Sequence, residues 1–355
     1  MSARWTREGR NRPAAAAPAA ASARLQRPLG QGPAFAAWLR RARRLDLPHA
    51  LVVEGGSGVG KTTVLQWLAA ALLCPSELAT EEPCGVCRTC VRIAGGGFPD
   101  LHVLERAVSD DECKEGAEPR KSYHRITVHQ VRDVQERLLR HPVEGRARVM
   151  IMACADTMNE EGQNALLKTL EEPGAATFLL LEAQKPEELL PTVRSRVQRL
   201  RVLPLDEATI RRELQQRIPA RAAQHETAAQ LASGSLGRAL LACTEHAVQL
   251  HDLVRATLAT TNGLRPLATA AAVLQGQKEM RTSIEAARTF LWLLRSELRR
   301  RRDALAAAES APYPASTAEP WTTWLESTLA AERELDLLIP PEQVLTACLL
   351  DCRGA

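Results

Sequence analysis

The sequence predicts an α/β domain with a mostly parallel sheet and a four-cysteine excursion, followed by two all-helical segments. Three observations carry this. Short apolar runs alternate with helical patterns between residues 34 and 202, a glycine-rich loop follows the first run, and only helical periodicity remains after Leu205. The chain of 355 residues, 45 % hydrophobic and 25 % charged, is too apolar for a wholly disordered protein, and its 20 glycines lack the period of collagen.

Residues 1–28 hold Arg4, Arg7, Arg10, Arg12, Arg24 and Arg27 against the single acid Glu8, a charge of +5 against +4 for the whole chain. The remainder is therefore at −1, which argues against nucleic-acid binding through net charge alone. With its Pro13–Pro18 alanine tract, this segment is expected to be a flexible tail, an organellar transit peptide being the alternative. No apolar run approaches the ~18–20 residues that span a bilayer. A cytoplasmic protein with no membrane partner is expected.

Order is expected from Leu29. A helix over Ala34–Arg44 leads to the buried strand Ala50–Val53, and further strands are expected at Leu101–Leu104, Arg148–Met152, Phe178–Leu181 and Val197–Val202. Helices at Thr62–Leu73, Val128–Leu139 and Glu160–Leu170 lie between them, so residues 29–204 form the α/β domain. A small helical lid over 205–246 contains Asp206–Arg217, Ala222–Leu231 and Gly237–Cys243. A helical bundle over 247–355 contains Met280–Leu305, Trp321–Leu338 and Glu342–Cys352, with a loop at Ala311–Pro320. Ser109–Arg120 is expected to be an exposed loop, Arg299–Arg302 a solvated helix end, and Trp321, Trp324, Leu325 and Leu329 a core stripe.

Gly55-Gly56-Ser57-Gly58-Val59-Gly60-Lys61-Thr62 fits G-x-x-x-x-G-K-[ST], placed after a strand and before a helix. In such a loop glycines let backbone N–H groups close around phosphates, Lys61 reaches the β/γ-phosphates, and Thr62 holds Mg²⁺, with Thr63 beside it. ATP or ADP with Mg²⁺ is the implied ligand. Hydrolysis needs in addition a carboxylate-bearing strand. On the candidate, Arg148–Asp156, the acidic positions hold Ala153 and Cys154, and Asp156 is expected to cap the next helix. The chain's own ATPase is therefore expected to be lost.

Nine cysteines cannot all pair, and four of them, Cys74, Cys84, Cys87 and Cys90, fall within 17 residues. Four soft ligands in a segment too polar to fold alone suit a closed tetrahedral Zn²⁺ site, with two disulfides or free thiols as the alternatives. Cys113, Cys154, Cys243, Cys348 and Cys352 are scattered and expected to be inert thiols.

Together these motifs resemble the delta-prime family of bacterial DNA polymerase III clamp-loader subunits, which are AAA+ proteins. The resemblance rests on His49-Ala50-Leu51, the glycine-rich loop, the cysteine module with Phe98-Pro99-Asp100-Leu101-His102, and Asn164–Pro173 with its Leu-Leu-Lys-Thr-Leu-Glu-Glu-Pro run. Thr192-Val193-Arg194-Ser195-Arg196 and Gly234–Leu240 complete it. It covers about residues 45–243 and implies a collar domain beyond. Gamma/tau motor subunits of the same family carry acids where Ala153 and Cys154 stand, a polar sensor near Ala183, and a sensor arginine where Gly237 stands. Arg238 is displaced by one position. The resemblance implies a hetero-pentamer with gamma/tau and delta subunits that loads a sliding clamp onto primer-template DNA. Within it Arg196 would act as an arginine finger toward a neighbour's γ-phosphate, the alternative being a solvated basic stretch. An active gamma/tau-like ATPase drawing on Asp156 or Glu160, and a non-replicative AAA+ scaffold, are the competing readings.

Overall fold

A computed structural model describes residues 24–77, 81–105, 126–138, 141–259, 265–277, 279–308 and 315–352. It divides into two units, the first comprising residues up to Gly55 and Lys61–Leu203, the second Gly56–Gly60 and Pro204 onward. Residues 1–23, Cys113 and the Ser109–Arg120 segment lie outside the described residues.

The first unit is a five-stranded, wholly parallel sheet. Its strands are β1 (Ala50–Glu54), β2 (Leu101–Leu104), β3 (Arg148–Met152), β4 (Thr177–Ala183) and β5 (Gln198–Arg201), in spatial order β2-β3-β4-β1-β5. β1 lies between β4 and β5, with Val53 opposite Glu182 and Leu200. β1, β3 and β4 are buried almost throughout because both their faces are covered, whereas the edge strands β2 and β5 are partly exposed, with Val103 of β2 and Gln198, Arg199 and Arg201 of β5 open to solvent. Ala50, Val52, Met150, Met152, Leu179 and Leu181 share one core with α4 (Val128–Leu138) and α5 (Glu160–Glu171). Alternation sends Leu51, Val53, Ile151 and Leu180 to the other face, where α2 (Lys61–Leu73) lies against β1, β3 and β4. α2 is buried nearly all round from Val64 to Leu73, so it is apolar on every side rather than amphipathic. α1 (Pro33–Arg43) packs on α2 and buries Phe35, Leu39 and Ala42.

Local chemistry sets several element ends. Asn159 caps α5 by accepting from Gly162 N at 3.0 Å, so the cap expected of Asp156 is supplied by a different residue. Asp156 sits in a short 3-10 turn, and its Oδ2 accepts from Gln184 N and Lys185 N at 2.8 and 2.7 Å, tying the end of β4 instead. A helix not expected from sequence, α3 (Arg88–Ala94), follows the cysteine turn and is capped by Cys87. Order begins before Leu29: Leu25 is buried and Arg27 pairs with Glu82 at 2.5 Å.

The second unit is all-helical beyond its glycine-loop residues: α7 (Glu207–Arg217), α8 (Ala222–Leu231), α9 (Leu236–Ala242), α10 (Glu245–Ala259), α11 (Pro266–Val273), α12 (Met280–Ala308), α13 (Ala315–Asp336) and α14 (Pro341–Asp351). The remaining short helix, α6 (Pro191–Arg194), belongs to the first unit. One core runs from Ile210 and Leu214 through Phe290, Leu291 and Trp324 to Cys348 and Cys352. α13 begins inside the expected Ala311–Pro320 loop. Arg299–Arg302 do not end their helix, which continues to Ala308. Arg300 and Arg301 there bond to Glu297, which is almost wholly buried. Of the expected stripe, Trp324 and Leu325 join the core, whereas Leu329 is 44 % exposed. Among the described residues no helix is long and apolar enough to cross a membrane.

Candidate functional site

The glycine-rich loop leaves β1 after Glu54 and enters α2 at Lys61. Gly58 and Gly60 have φ of +71° and +100°, backbone that a side chain would strain. Within the second unit, Gly237 N donates to Gly58 O at 3.1 Å, and a Cβ on Gly58 would stand 2.5 Å from Ser235 Oγ. Within the first unit, Lys61 is 6 % exposed and its Nζ donates to Gly55 O at 3.0 Å. The same ammonium lies 3.6 Å from Glu182 Oε1, and Thr62 Oγ1 donates to Glu182 Oε2 at 3.1 Å. Thr63 follows in the first turn of α2, half-buried. Glu182 was invisible to sequence reasoning because it lies 120 residues from Thr62 and reaches it only through the β1–β4 pairing.

At the other end of α2 stands the cysteine cluster. The ligand atoms of Cys74, Cys84, Cys87 and Cys90 all lie within 4.8 Å of one another. Sγ separations are 3.7 Å for Cys74–Cys84, 3.8 Å for Cys74–Cys87 and 3.9 Å for Cys84–Cys90. A disulfide needs about 2.05 Å, whereas a tetrahedron with Zn–S arms of about 2.3 Å has edges of about 3.8 Å. The donor set and its spacing fit Zn²⁺ and not two disulfides. Four thiolates leave no coordination position for water, so the metal would be structural, fixing the 74–90 excursion and the start of α3.

The backbone prepares the thiolates. Cys87 N points at Cys84 Sγ at 3.3 Å and Cys90 N at Cys87 Sγ at 3.5 Å. Burial raises the Cys84 thiol, but N–H donors from Val86 and Cys87, with the Cys87 and Cys74 thiols, outweigh it and bring it down to about 6. Burial pushes Cys90 up. Trp67 of α2 lies under the turn, its ring 3.9 Å from where a Cβ on Gly85 would be.

The strand expected to lack catalytic acids is followed in the chain by Ala153 and Cys154. β3 ends at Met152, Ala153 N bonds to Leu104 O at 2.9 Å, and Cys154 turns the chain with φ +53°. Asp100 from the Phe98–His102 motif is 1 % exposed and accepts from the N–H groups of Val143, Glu144 and Gly145 at 2.7, 2.8 and 2.6 Å. It thereby moulds the turn that feeds β3.

Arg196 lies just before β5, its side chain 37 % exposed. It donates to Thr192 O at 2.9 Å and to Glu171 Oε1 at 2.8 Å. Glu171 belongs to the Leu-Glu-Glu-Pro run, so two separate sequence motifs meet here. The preceding turn is held by Gln163, a buried residue that sequence reasoning passed over. Its amide donates to Met158 O and Glu188 O and accepts from Leu190 N. An open cavity of about 350 Å³ adjoins, lined by Val52, Leu189, Arg194, Val197 and Arg199 among others. In the second unit Arg238 is committed elsewhere, its guanidinium 5.6 Å over the Trp292 ring, where burial and Arg295 lower its proton affinity.

An α/β unit with a parallel sheet, a glycine-rich strand-to-helix loop and a buried four-cysteine cluster, joined in the chain to an all-helical region, is an AAA+-like architecture. Residues 30–206 match the family described as "DNA polymerase III, delta subunit". The family match and the curated relatives point specifically to the delta-prime subunit of the DNA polymerase III clamp loader and its gamma/tau kin. The chain is 36 % identical over 161 residues to "DNA polymerase III subunit delta'" of Pseudomonas aeruginosa, covering 45 % of each chain. It is 34 % identical over 164 residues to the Bacillus subtilis delta' subunit, covering 46 % of this chain and 45 % of that one. To "DNA polymerase III subunit tau" of Salmonella typhimurium it is 31 % identical over 258 residues, 69 % of this chain and 37 % of the relative. The chain thus spans less than half the length of these relatives.

Proposed function

We propose that this chain is a non-motor, delta-prime-type clamp-loader subunit. Residues 29–204 serve as the AAA+ P-loop domain, 205–246 as its lid and 247–355 as the collar. It assembles with gamma/tau and delta subunits in a hetero-pentamer, supporting ATP-driven loading of the sliding clamp onto primer-template DNA. The observation that carries this reading is the pairing of an intact G-x-x-x-x-G-K-T loop with a β3 end that holds Ala153 and Cys154 instead of acids. Without a carboxylate there to hold Mg²⁺ and polarise water, the chain's contribution to turnover must come in trans.

In this reading Arg196 makes that contribution. It is exposed, and its planar fork suits the equatorial oxygens of a transferring phosphoryl group. In the free chain it is held by Glu171 and Thr192 O, so its reach toward a neighbour's nucleotide begins by exchanging one carboxylate for a phosphate. Gly55, Gly58, Gly60, Lys61, Thr62 and Thr63 form the chain's own nucleotide loop, and Cys74, Cys84, Cys87 and Cys90 hold one Zn²⁺.

Arg196→Ala is expected to lower ATP hydrolysis at the site it faces in the reconstituted complex by about 100- to 1,000-fold, the scale for losing one transition-state charge stabiliser. The isolated subunit should keep its fold and metal. Unchanged turnover would remove the finger role. ATP hydrolysis by the purified chain, abolished by Lys61→Ala, would favour a gamma/tau-like ATPase instead.

A further inference from the structure

A G-x-x-x-x-G-K-T loop offers Lys61 to phosphate as a hydrogen-bond donor and Thr62 to the metal through its hydroxyl oxygen, and both side chains are engaged by one carboxylate. Glu182 Oε1 lies 3.6 Å from Lys61 Nζ, and Glu182 Oε2 accepts from Thr62 Oγ1 at 3.1 Å. The glutamate is little exposed, 13 %, and stands on a central strand, opposite Val53 of β1, so its backbone cannot drift away from the loop. Lys61 is deeper still, 6 % exposed, and its Nζ also donates to Gly55 O at 3.0 Å.

We propose that Glu182 is a tethered competitor for phosphate, a residue that sets the nucleotide affinity of this loop by occupying the Lys61 ammonium that a nucleotide's phosphates must take. The proposal rests on reading residues 55–63 as a phosphate-binding loop. A carboxylate and a phosphate are both multi-acceptor anions and use the same donors. Because Glu182 is carried on the sheet, its encounter with Lys61 and Thr62 is intramolecular and costs no translational freedom, whereas an incoming nucleotide must supply that cost. A nucleotide must also bring its phosphates beside a carboxylate that is already partly desolvated, and like charges at that range repel strongly. In a hydrolytic loop the corresponding acid would hold Mg²⁺ from β3. Here β3 ends in Ala153 and Cys154, and the acid arrives from β4 in contact with the lysine itself. An intact motif and weak nucleotide binding are then compatible.

The test is calorimetric titration of the full chain with ADP, with and without Mg²⁺, for wild type, Glu182→Gln, Glu182→Ala and the double variant Lys61→Ala/Glu182→Gln. Glutamine keeps the shape and removes the charge, and alanine guards against an artefact of the new amide. Zinc content and circular dichroism check folding. We expect both single variants to bind ADP at least tenfold more tightly than wild type, and the double variant to lose that gain. Equal affinity in wild type and both single variants would overturn the competitor role while leaving the loop a nucleotide site. Weaker, Mg²⁺-dependent binding in the single variants would overturn it in favour of Glu182 as a cation ligand. No binding by any variant at millimolar ADP would refute the phosphate-loop reading itself, and the competitor with it.

Discussion

Replacing Asp100 by asparagine changes a single oxygen to NH₂, yet it should be among the more damaging substitutions in the α/β unit. The carboxylate is 1 % exposed and takes three backbone N–H donors, Val143 on Oδ1 and both Glu144 and Gly145 on Oδ2. The best asparagine rotamer leaves its oxygen toward Glu144 and Gly145, so its NH₂ faces Val143 N–H, donor against donor. That forfeits one hydrogen bond to a charged group, about 1.5–3 kcal/mol, and turns two others from charged to neutral at about 0.5–1.5 kcal/mol each. The expected loss is about 3–5 kcal/mol, a large part of the ~5–15 kcal/mol by which domains are stable. Urea unfolding measures it: with a slope of about 2 kcal/mol/M, the midpoint of the α/β unit should fall by about 1.5–2.5 M. Hydrogen exchange over residues 143–152 assigns the transition to this unit. A shift below about 0.5 M would mean that the turn holds itself and that the argument from Asp100 is wrong.

The same residue predicts a pH dependence. Burial raises the Asp100 carboxyl, but the three N–H donors and the Arg148 charge outweigh it and hold the group below the usual carboxylate range. A folded value below the unfolded one, about 3.9, means that its stabilisation is complete above that pH and is lost as pH falls through the folded value. The asparagine variant should lack this acid-side slope. Cys90→Ser should reduce bound zinc from one per chain to near zero by elemental analysis and deprotect residues 84–94 to exchange; retention of stoichiometric metal would contradict the four-thiolate site. Acidification should release the metal, since protons compete for the same thiolates. Gly58→Ala places a β-carbon on a φ of +71° and 2.5 Å from Ser235 Oγ, costing about 2–4 kcal/mol from left-handed strain and overpacking together. Adding Ser235→Gly removes the nearest contact but also the Ser235 cap on α9 and leaves Arg238 N 3.3 Å from the new carbon, so only part of the loss should return in a thermal melt, and full recovery would show that the backbone is not strained.

Much of the α/β unit was legible along the chain because its signals are local. Ala50–Val53, Leu101–Leu104 and Arg148–Met152 announce strands by being short and mostly apolar, and the structure places strands there. The glycine-rich motif and the four cysteines are legible for a similar reason: backbone closure and tetrahedral thiolate geometry demand particular residue types at particular spacings. Helix boundaries were less so. α3 escaped notice because a seven-residue segment is too short to show helical periodicity and gains its stability from the cysteine turn that caps it and from burial of Cys90 and Ile93. Asp156 looked like a cap because aspartate favours caps, but Asn159 is the residue at the helix start and Asp156 meets the end of β4.

By itself, then, the sequence determined the class of architecture, the metal-binding chemistry and the absence of acids at the end of β3, since each depends on residue identity and short spacing. Tertiary structure decided which charges meet. Glu182 reaches Thr62 across 120 residues, Glu171 reaches Arg196 across 25, and Asp100 reaches the turn at 143–145 across 43 to 45. Such pairings leave no periodicity or spacing in a linear chain, because they are set by strand order and register, and in a parallel sheet every neighbouring strand is brought alongside through a long crossover.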